Sequence, residues 1–182
     1  MNAIIPPSPW LLEHAAQFPA SGCILDLACG RGRHLRWLAQ RSATAIAGGG
    51  LTLLGVDRDP ESLRSLAGVA GVETLCCDLE GASWPLAGRR FAAVIVTNYL
   101  WRPRFDALLD LLAPGGALFY ETFMEGHAAY GKPSRPEFLL RPGELRSRCA
   151  AAGLQEIAAV EGYVEQPRPA LRQAIVARRP AA

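Results

Sequence analysis

The sequence is poor in the residues that bind metal ions. Its three histidines are spread over 182 residues, and its five cysteines include no C-x-x-C pair. An odd set of unpaired cysteines favours free thiols in a reducing compartment over a disulfide framework. We expect Cys23, Cys76 and Cys149 to be small buried side chains, and Cys29 either to fit a tight turn or to touch a ligand there. A metal centre is not expected.

Net charge and long apolar runs are also scarce. A net charge of +2 is too small to indicate a nucleic acid or an acidic membrane surface as partner. No apolar run reaches the roughly 18 residues of a membrane-spanning helix, and residues 1–7 lack the basic start and long apolar segment of a signal peptide. We therefore expect a cytoplasmic protein without membrane contact. A hydrophobic content of 50% suits a single domain, residues 1–182, with a sizeable core.

Near-continuous apolar runs alternate with helical patterns along the chain. Such runs are typical of parallel strands buried on both faces, and repeated strand–helix units imply an open doubly wound α/β sheet. The last two strands are joined by a short turn at 166–169, so they must pair antiparallel. A glycine-rich loop is predicted at 47–50. The predicted strands are 23–28, 51–56, 72–77, 91–97, 117–121, 154–164 and 171–177, and the predicted helices are 10–18, 32–41, 60–66, 104–113 and 144–152.

The first predicted strand runs into a glycine-rich turn that opens a helix. Its spacing, acid-x-small-x-Gly-x-Gly, is formed by Asp26, Ala28, Gly30 and Gly32. Glycines at such a turn let a ligand approach the backbone closely. A dinucleotide site would instead require G-x-G-x-x-G without a nearby acid, and here Leu35 occupies the third glycine position. A cofactor with a positive amino group and no phosphate suits the acid better, and a purely structural turn is the alternative.

Polar side chains close four of the predicted strands: Asp26, Asp57, Asp78 and Asn98. The carboxyl ends of parallel strands share one edge of the sheet, and ligands bind at that edge near the point where the strand order reverses. Taken alone, Asp57 could cap the following helix and Asp78 could be a turn residue. The four together predict one ligand-binding edge.

Four motifs in this order resemble those of class I S-adenosylmethionine (SAM) dependent methyltransferases, over the chain from residue 20 onward. They are ILDLACGRGR from Ile24, GVDRDP at 55–60, CDLE at 77–80 and LLAPGGAL at 111–118. The resemblance implies a doubly wound, seven-stranded Rossmann-like sheet with an antiparallel last strand. It also implies SAM as cofactor and S-adenosylhomocysteine as product. The segments CGRGRHL, NYLWRP and the late GKP…FLLRPGEL, which begins at Gly131, further resemble the small tellurite-resistance-type methyltransferases.

The resemblance assigns the adenosine half of the cofactor to the second and third motifs. Asp57 is expected to accept hydrogen bonds from the two ribose hydroxyls, with Arg58 beside it, because a carboxylate is the bidentate acceptor that a diol requires. Asp78 is expected to accept from the adenine amino group, and Leu79 to pack on the ring edge.

The methionine half is assigned to the first motif. Ala28, Gly30 and Gly32 are expected to line it, and Asp26 to hold its amino group. Arg33 is expected to pair with the methionine carboxylate at the helix N-terminus. An ordinary solvated helix residue is the alternative explanation for Arg33.

Residues beside the transferred methyl group are expected at the ends of the fourth and fifth strands. Asn98 and Tyr99 are expected there, with Asn98 in the cofactor site as well. The reaction implied is an in-line displacement, which requires a general base only for a nucleophile such as a hydroxyl or a protonated amine. The candidate bases are Tyr99, Glu121 and His127. Their structural alternatives are a packing aromatic, a strand-end acid and an exposed loop residue, respectively.

A long loop at 122–142 is expected to act as a lid over the acceptor, together with the N-terminal helix within 1–20. The acceptor is expected to be a small molecule, because no basic stripe or appended recognition domain is evident. Cations in this loop could favour an anionic acceptor, although solvated charges are the simpler explanation. The alternatives are an RNA or protein methyltransferase, a SAM-binding module without catalysis, and an NAD-binding protein.

Overall fold

A seven-stranded sheet is the centre of the computed structural model, which describes residues 5–44 and 50–181. Its strands are β1 (Gly22–Leu27), β2 (Leu51–Asp57), β3 (Val72–Cys76), β4 (Phe91–Thr97), β5 (Leu112–Phe123), β6 (Gln155–Val164) and β7 (Ala170–Arg178). Their order across the sheet is β3-β2-β1-β4-β5-β7-β6. The first five strands are parallel, and β7 is antiparallel to both β5 and β6. The predicted doubly wound sheet with an antiparallel last strand is thus confirmed.

Short helices connect the strands. The α-helices are α1 (Pro9–Glu13), α2 (Arg33–Thr44), α3 (Pro60–Arg64), α4 (Phe105–Leu109) and α5 (Glu144–Ala151), and the 3-10 turns are Ala15–Gln17, Arg102–Arg104, His127–Ala129 and Pro136–Phe138. Two of the helices begin at a capping side chain followed by proline. The Ser8 hydroxyl accepts a hydrogen bond from the Trp10 N–H at 3.2 Å, and the Asp59 carboxylate accepts from two N–H groups of the first turn of α3. These caps satisfy amide groups that lack a helical partner.

Both faces of the sheet are covered, which explains why its strands are continuously apolar. Along β1, Leu25 and Leu27 belong to the cluster that packs against α4 and α5, whereas Ile24 belongs to the cluster that packs against α1 and α2. All three side chains are fully buried. Burial of each such side chain contributes about 1.5–3 kcal/mol. This two-sided burial holds the strand ends, and therefore the site at their carboxyl edge, in fixed positions.

The fifth strand and the helix before it differ from the prediction. α4 ends at Leu109, and β5 begins at Leu112, so the Pro-Gly-Gly segment lies inside the strand as an irregularity in its pairing with β4. A Cβ on Gly116 would lie 2.8 Å from the carbonyl oxygen of Ala113 and 2.9 Å from that of Phe91. Only glycine fits this close backbone approach. The motif therefore bends a strand instead of ending a helix.

Smaller differences occur at the ends of the chain and at the sheet edge. The predicted first helix stops at Glu13 and continues as the 3-10 turn at Ala15–Gln17. Cys76 is exposed and not buried, because β3 is an edge strand. The loop predicted at 47–50 lies, apart from Gly50, outside the described residues. Within the described ranges, no helix is long and apolar enough to cross a membrane.

Candidate active site

The glycine-rich turn after β1 is held in a left-handed backbone conformation. Ala28, Gly30 and Gly32 have φ values of +56°, +53° and +68°. A Cβ on Gly32 would lie 2.4 Å from a Leu66 side-chain carbon, so a larger residue there would force this buried side chain to move. A Cβ on Gly30 would meet nothing within 4 Å. The turn is therefore packed on one side and leaves open space at Gly30, where a ligand can approach the backbone.

The carboxylate at the end of β2 is tied to this turn. Asp57 Oδ2 accepts a hydrogen bond from the Gly30 N–H at 2.7 Å, and Oδ1 accepts from the Asp59 N–H at 3.0 Å. Each carboxylate oxygen has further acceptor capacity. Asp57 is half-buried. It is thus oriented beside the open space at Gly30 with lone pairs left for hydroxyl donors.

Asp26 lies beneath the turn in a buried pair with a histidine. Asp26 and His34 are each 1% exposed, and Asp26 Oδ2 lies 3.3 Å from His34 Nδ1. Within the described ranges, Asp26 Oδ1 and His34 Nε2 have no hydrogen-bond partner. Buried polar atoms of this kind are costly unless a water or ligand satisfies them. Sequence reasoning did not anticipate His34, whose only signal is a place in the first turn of the helix that follows the acid.

A second left-handed residue closes β4. Asn98 has φ +56°, and its N–H donates to the Glu121 carbonyl at 3.0 Å. β1 and β4 are neighbours in the sheet and mark the point where its strand order reverses. Ala28 and Asn98 are the non-glycine residues with positive φ in the part of the chain that the structure describes. Such strain costs about 1–3 kcal/mol per residue and concentrates at functional sites, so it favours the place where β1 and β4 end as the candidate site.

The predicted adenine-side residues lie beyond this point along the same edge. Asp78 is exposed, and its Oδ1 accepts from the Glu80 N–H at 2.9 Å, while Leu79 is buried.

Tyr99, a candidate base, follows Asn98 at the end of β4. Burial and the charges of Glu80 and Asp78 raise the pKa of Tyr99, although the charge of Arg58 opposes the effect. The Tyr99 hydroxyl therefore remains protonated at neutral pH, which argues against this residue as a general base.

A cavity of about 920 Å³ opens at the carboxyl edge of the sheet. Its walls come from the glycine-rich turn, α1, the ends of β4, β5 and β7, and the hairpin between β6 and β7. This volume lies within the range of small-molecule sites. The predicted site residues that line it are Ala28, Gly30, Arg33, Asn98 and Glu121. Asp26 and Gly32 are buried beneath it, and neither Asp57 nor Asp78 is among its lining residues.

A neighbouring cavity of about 610 Å³ lies under the long loop after β5. The two cavities share Asn98 and Arg168. The charged residues that line the smaller one are Lys132, Arg135 and Arg168, and all three are cationic. Phe123 and Phe138 supply its aromatic surface.

Arg172 of β7 is a buried cation at the wall of the larger cavity, and the sequence prediction missed it. Its side chain is 7% exposed and lies over the Phe123 ring, with Cζ 4.1 Å from the ring centroid. Nη1 donates to Asn98 Oδ1 at 2.8 Å. The only sequence signal is an arginine in a mostly apolar final strand, which also contains Gln173 and Arg178. Burial lowers the pKa of Arg172.

His127 is placed outside both cavities, with both ring nitrogens in hydrogen bonds. The Leu171 N–H lies 3.3 Å from Nδ1, and the Lys132 carbonyl lies 3.2 Å from Nε2. The ring is 1% exposed and stacks on Phe123. Burial lowers its pKa. It is therefore not the exposed loop residue considered from the sequence, and no ring nitrogen is free to take a proton from a substrate.

The loop predicted as a lid begins later than expected and has an anchored base. Thr122 and Phe123 belong to β5, and Met124 bridges to Leu140. Arg102 donates hydrogen bonds to the carbonyl oxygens of Glu137 and Leu139, at 2.9 and 2.7 Å. These contacts fix the end of the loop, while its middle, 128–132, is exposed. Closure over an acceptor remains a prediction.

The anchor of this loop is expected to weaken in acid. Arg102 also forms a bidentate pair with Glu144, with N···O distances of 2.9 and 2.7 Å. Burial raises the pKa of Glu144, but hydrogen bonds from Arg102 and the Arg141 N–H outweigh it and lower the pKa from 4.5 to about 2. Because the pKa is lower in the folded state, ionised Glu144 stabilises the fold above pH 4.5, and the contribution is lost as the pH falls toward 2.

Urea unfolding of the wild type and Glu144→Gln at pH 3, 4, 5 and 7 checks this expectation. The loss of stability in the variant should be largest at pH 7 and should shrink below pH 5. Glu137→Gln serves as a control, because its exposed pair with Arg135 contributes little. If the difference in the free energy of unfolding between wild type and Glu144→Gln did not change with pH, the lowered pKa of Glu144 would be contradicted.

Comparisons with known proteins agree with this architecture. A SAM-dependent methyltransferase from Methanosarcina mazei shares 16% identity and a TM-score of 0.68, over 98% of this chain and 100% of that chain. A TehB-like SAM-dependent methyltransferase from Corynebacterium glutamicum shares 18% identity and a TM-score of 0.64, over 93% and 86%. The [4+2]-cyclase SpnF shares 15% identity and a TM-score of 0.69, over 94% and 80%. At these identities the likeness shows the fold. No curated protein matches the sequence.

The family assignment comes from the sequence itself. The family model for the methyltransferase domain matches residues 24–116, about half of the chain. This range begins in β1 and includes the glycine-rich turn, Asp57, Asp78 and Asn98. The chain therefore belongs to the methyltransferase domain family, and it is a class I methyltransferase whose cofactor is SAM.

Proposed function

We propose that this protein transfers the methyl group of SAM to a small-molecule acceptor by in-line displacement. One observation carries the proposal: a single cavity is lined by the glycine-rich turn on one side and by Asn98, Glu121 and Arg172 on the other. The turn is a cofactor-binding feature in this family. The polar groups opposite it can hold a second reactant.

The residues at the sheet edge fit the cofactor. The open space at Gly30 admits the methionine part close to the backbone, and Arg33 lines the same cavity, where it could pair with a carboxylate. Asp57 presents carboxylate oxygens to the ribose diol, and Arg58 follows it. Asp78 is exposed at the end of β3, where it could accept from the adenine amino group above Leu79.

Asp26 supports this site from below in our proposal. Its carboxylate is buried beneath the turn and does not line the cavity. The unpartnered Oδ1 could reach the amino group of the methionine part through a water molecule. Ala28 and Gly32 hold the shape of the turn above it.

Bound SAM supplies an electrophilic methyl group on a good leaving group, and the protein must align the acceptor and exclude water. Asn98 is in position to orient Arg172, to which its Oδ1 is hydrogen-bonded. Glu121 is the candidate general base, because its side chain is buried and lines the cavity. Tyr99, which stays protonated, and His127, whose ring nitrogens are occupied, are less suited to this role.

The dimensions of the site favour a small acceptor over RNA or protein. The reacting groups lie inside a cavity walled by α1 and the β6–β7 hairpin, with Trp10 and Tyr163 among its lining residues. A macromolecule would have to present a flexible, extruded group to reach them.

The five free thiols of the structure support the reducing, cytoplasmic location predicted from the sequence.

A transfer assay with methyl-labelled SAM tests the proposal. The purified protein is incubated with a cell extract separated into a small-molecule fraction, an RNA fraction and a protein fraction. We expect label in the small-molecule fraction only, and none with Asp57→Ala. Label in RNA or protein would contradict the small acceptor. Binding of SAM without transfer to any fraction would favour another use of the fold, of which the [4+2]-cyclase SpnF is an example.

A further inference from the structure

Arg172 has unused hydrogen-bonding capacity at the cavity wall. A guanidinium carries five N–H donors. Within the described ranges, the bond from Nη1 to Asn98 Oδ1 is the only hydrogen bond of this side chain, and its buried Nε has no partner. The side chain is 93% buried, since 7% is exposed. Arginine is almost never buried to this extent without an anionic partner.

The surrounding charges do not supply that partner. Glu121 is the carboxylate whose charge acts on Arg172, but no ion pair within 4 Å joins Arg172 to an acid in the described part of the chain. Arg168 and Arg33 face it as well, and their charges add to the effect of burial in lowering its pKa. Four cations and two acids line the larger cavity, and this net charge of +2 favours a negatively charged ligand group: Arg31, Arg33, Arg168, Arg172, Glu13 and Glu121.

The adjoining smaller cavity extends this positive region. Arg168 lines both cavities, and Lys132 and Arg135 line the smaller one. These three side chains are exposed, so each alone would be a solvated surface charge. Arg172 differs from them because it is desolvated, and a desolvated cation binds an anion more strongly than an exposed one.

The position of Arg172 favours the acceptor over the cofactor as the source of the anion. β7 lies three strands from β1, which is about 14 Å at the usual strand spacing. The methionine carboxylate would bind near the glycine-rich turn of β1, where Arg33 stands at the start of α2. Arg172 enters from the opposite wall and reaches only to Asn98 at the end of β4.

We propose that the methyl acceptor is an organic anion, whose carboxylate, phosphate or sulfonate group binds the guanidinium of Arg172. This inference rests on the proposed function and specifies its substrate class. Asn98 fixes the orientation of the guanidinium, and Trp10, Phe123 and Phe138 offer apolar surface for the remainder of the molecule. The acceptor atom then lies between the anionic group and the glycine-rich turn, on the side of Glu121.

Titration with charge-matched probes tests the proposal. Benzoate and benzamide have nearly the same shape and differ in charge, and phenyl phosphate is a second anion. Each probe is titrated into the protein with and without saturating S-adenosylhomocysteine. We expect at least one anion to bind about tenfold or more tightly than benzamide, the effect of one oriented charged hydrogen bond. Failure of both anions to exceed benzamide would overturn the proposal.

Variants test whether Arg172 is the residue that causes the preference for the anionic probe. Arg172→Met should reduce the preference for the anion to within about twofold, whereas Arg146→Met, an exposed residue paired with Glu156, should retain it. Arg172→Gln, which keeps part of the polar length, replaces the Met variant if that variant does not fold. A preference that survives the loss of Arg172 would contradict the assignment.

The affinity for S-adenosylhomocysteine distinguishes the two groups that Arg172 could bind, an anion of the acceptor or the methionine carboxylate of the cofactor. Arg172→Met should leave the dissociation constant of S-adenosylhomocysteine within about twofold of wild type. A large loss there would show that Arg172 binds the methionine carboxylate, which would overturn the present inference. Absence of S-adenosylhomocysteine binding to the wild type would contradict the proposed function, while the probe titrations without it would still measure the preference for anions.

Discussion

Replacing Glu121 by glutamine is expected to lower kcat for methyl transfer by about 10²–10⁴-fold, the usual contribution of a general base. Glu121 is 7% exposed, lies in the buried carboxyl-terminal half of β5 and lines the cavity together with Arg172. Glutamine keeps the size of the side chain and removes its ability to accept a proton. The measurement is steady-state kinetics with the acceptor that the labelling assay identifies.

The matched control for this prediction is Glu125→Gln. Glu125 follows the same strand but is exposed and does not line the cavity. It should keep kcat within about twofold of wild type. S-adenosylhomocysteine should bind Glu121→Gln with nearly wild-type affinity. A kcat unchanged in Glu121→Gln would contradict the role of a base and indicate a nucleophile that reaches the site already deprotonated.

Asp57→Ala is expected to weaken the binding of SAM and of S-adenosylhomocysteine by about 100-fold, or ~2.7 kcal/mol. The carboxylate provides charged acceptors for the ribose diol, and hydrogen bonds to charged groups contribute about 1.5–3 kcal/mol each. It also holds the Gly30 N–H at 2.7 Å, so its loss should loosen the turn that faces the methionine part. Isothermal titration calorimetry measures the effect.

Asp110→Ala is the control for this variant, because Asp110 is an exposed carboxylate remote from the cavity. Thermal unfolding of Asp57→Ala verifies that the fold persists. If a folded Asp57→Ala protein bound S-adenosylhomocysteine within threefold of wild type, Asp57 would not be a ribose ligand.

The sheet could be predicted from the sequence because its strands are buried on both faces. Two-sided burial demands uninterrupted apolar runs, and the runs at 51–56 and 91–97 correspond closely to β2 and β4. The antiparallel end of the sheet followed from the short turn between the last two strands. The Pro-Gly-Gly segment was wrongly predicted to end a helix. The same residues are typical of a turn before a strand and of a bulge inside a strand, so the sequence does not distinguish the two. The close approach of Gly116 to Phe91 depends on a neighbouring strand.

The residues assigned to the cofactor are easier to recognise in the sequence than those on the opposite wall of the cavity, for a related reason. The turn after β1 is a contiguous motif, so its glycines and the acids that follow β2 and β3 stand at recognisable spacings. Arg172, in contrast, meets Asn98 across 74 positions of sequence. His127 meets Leu171 across 44 positions and is buried by that contact. No local pattern reports such pairings, which arise only when β7 inserts beside β5.

Titration of the purified protein with S-adenosylhomocysteine, with NADH titrated in parallel, tests whether the carboxyl edge of the sheet binds the methyl donor. We expect one site per chain in the micromolar range for S-adenosylhomocysteine, with an affinity about 100-fold weaker in Asp57→Ala, and no binding of NADH. Binding of NADH at the same site, or no binding of S-adenosylhomocysteine by the folded protein, would contradict it.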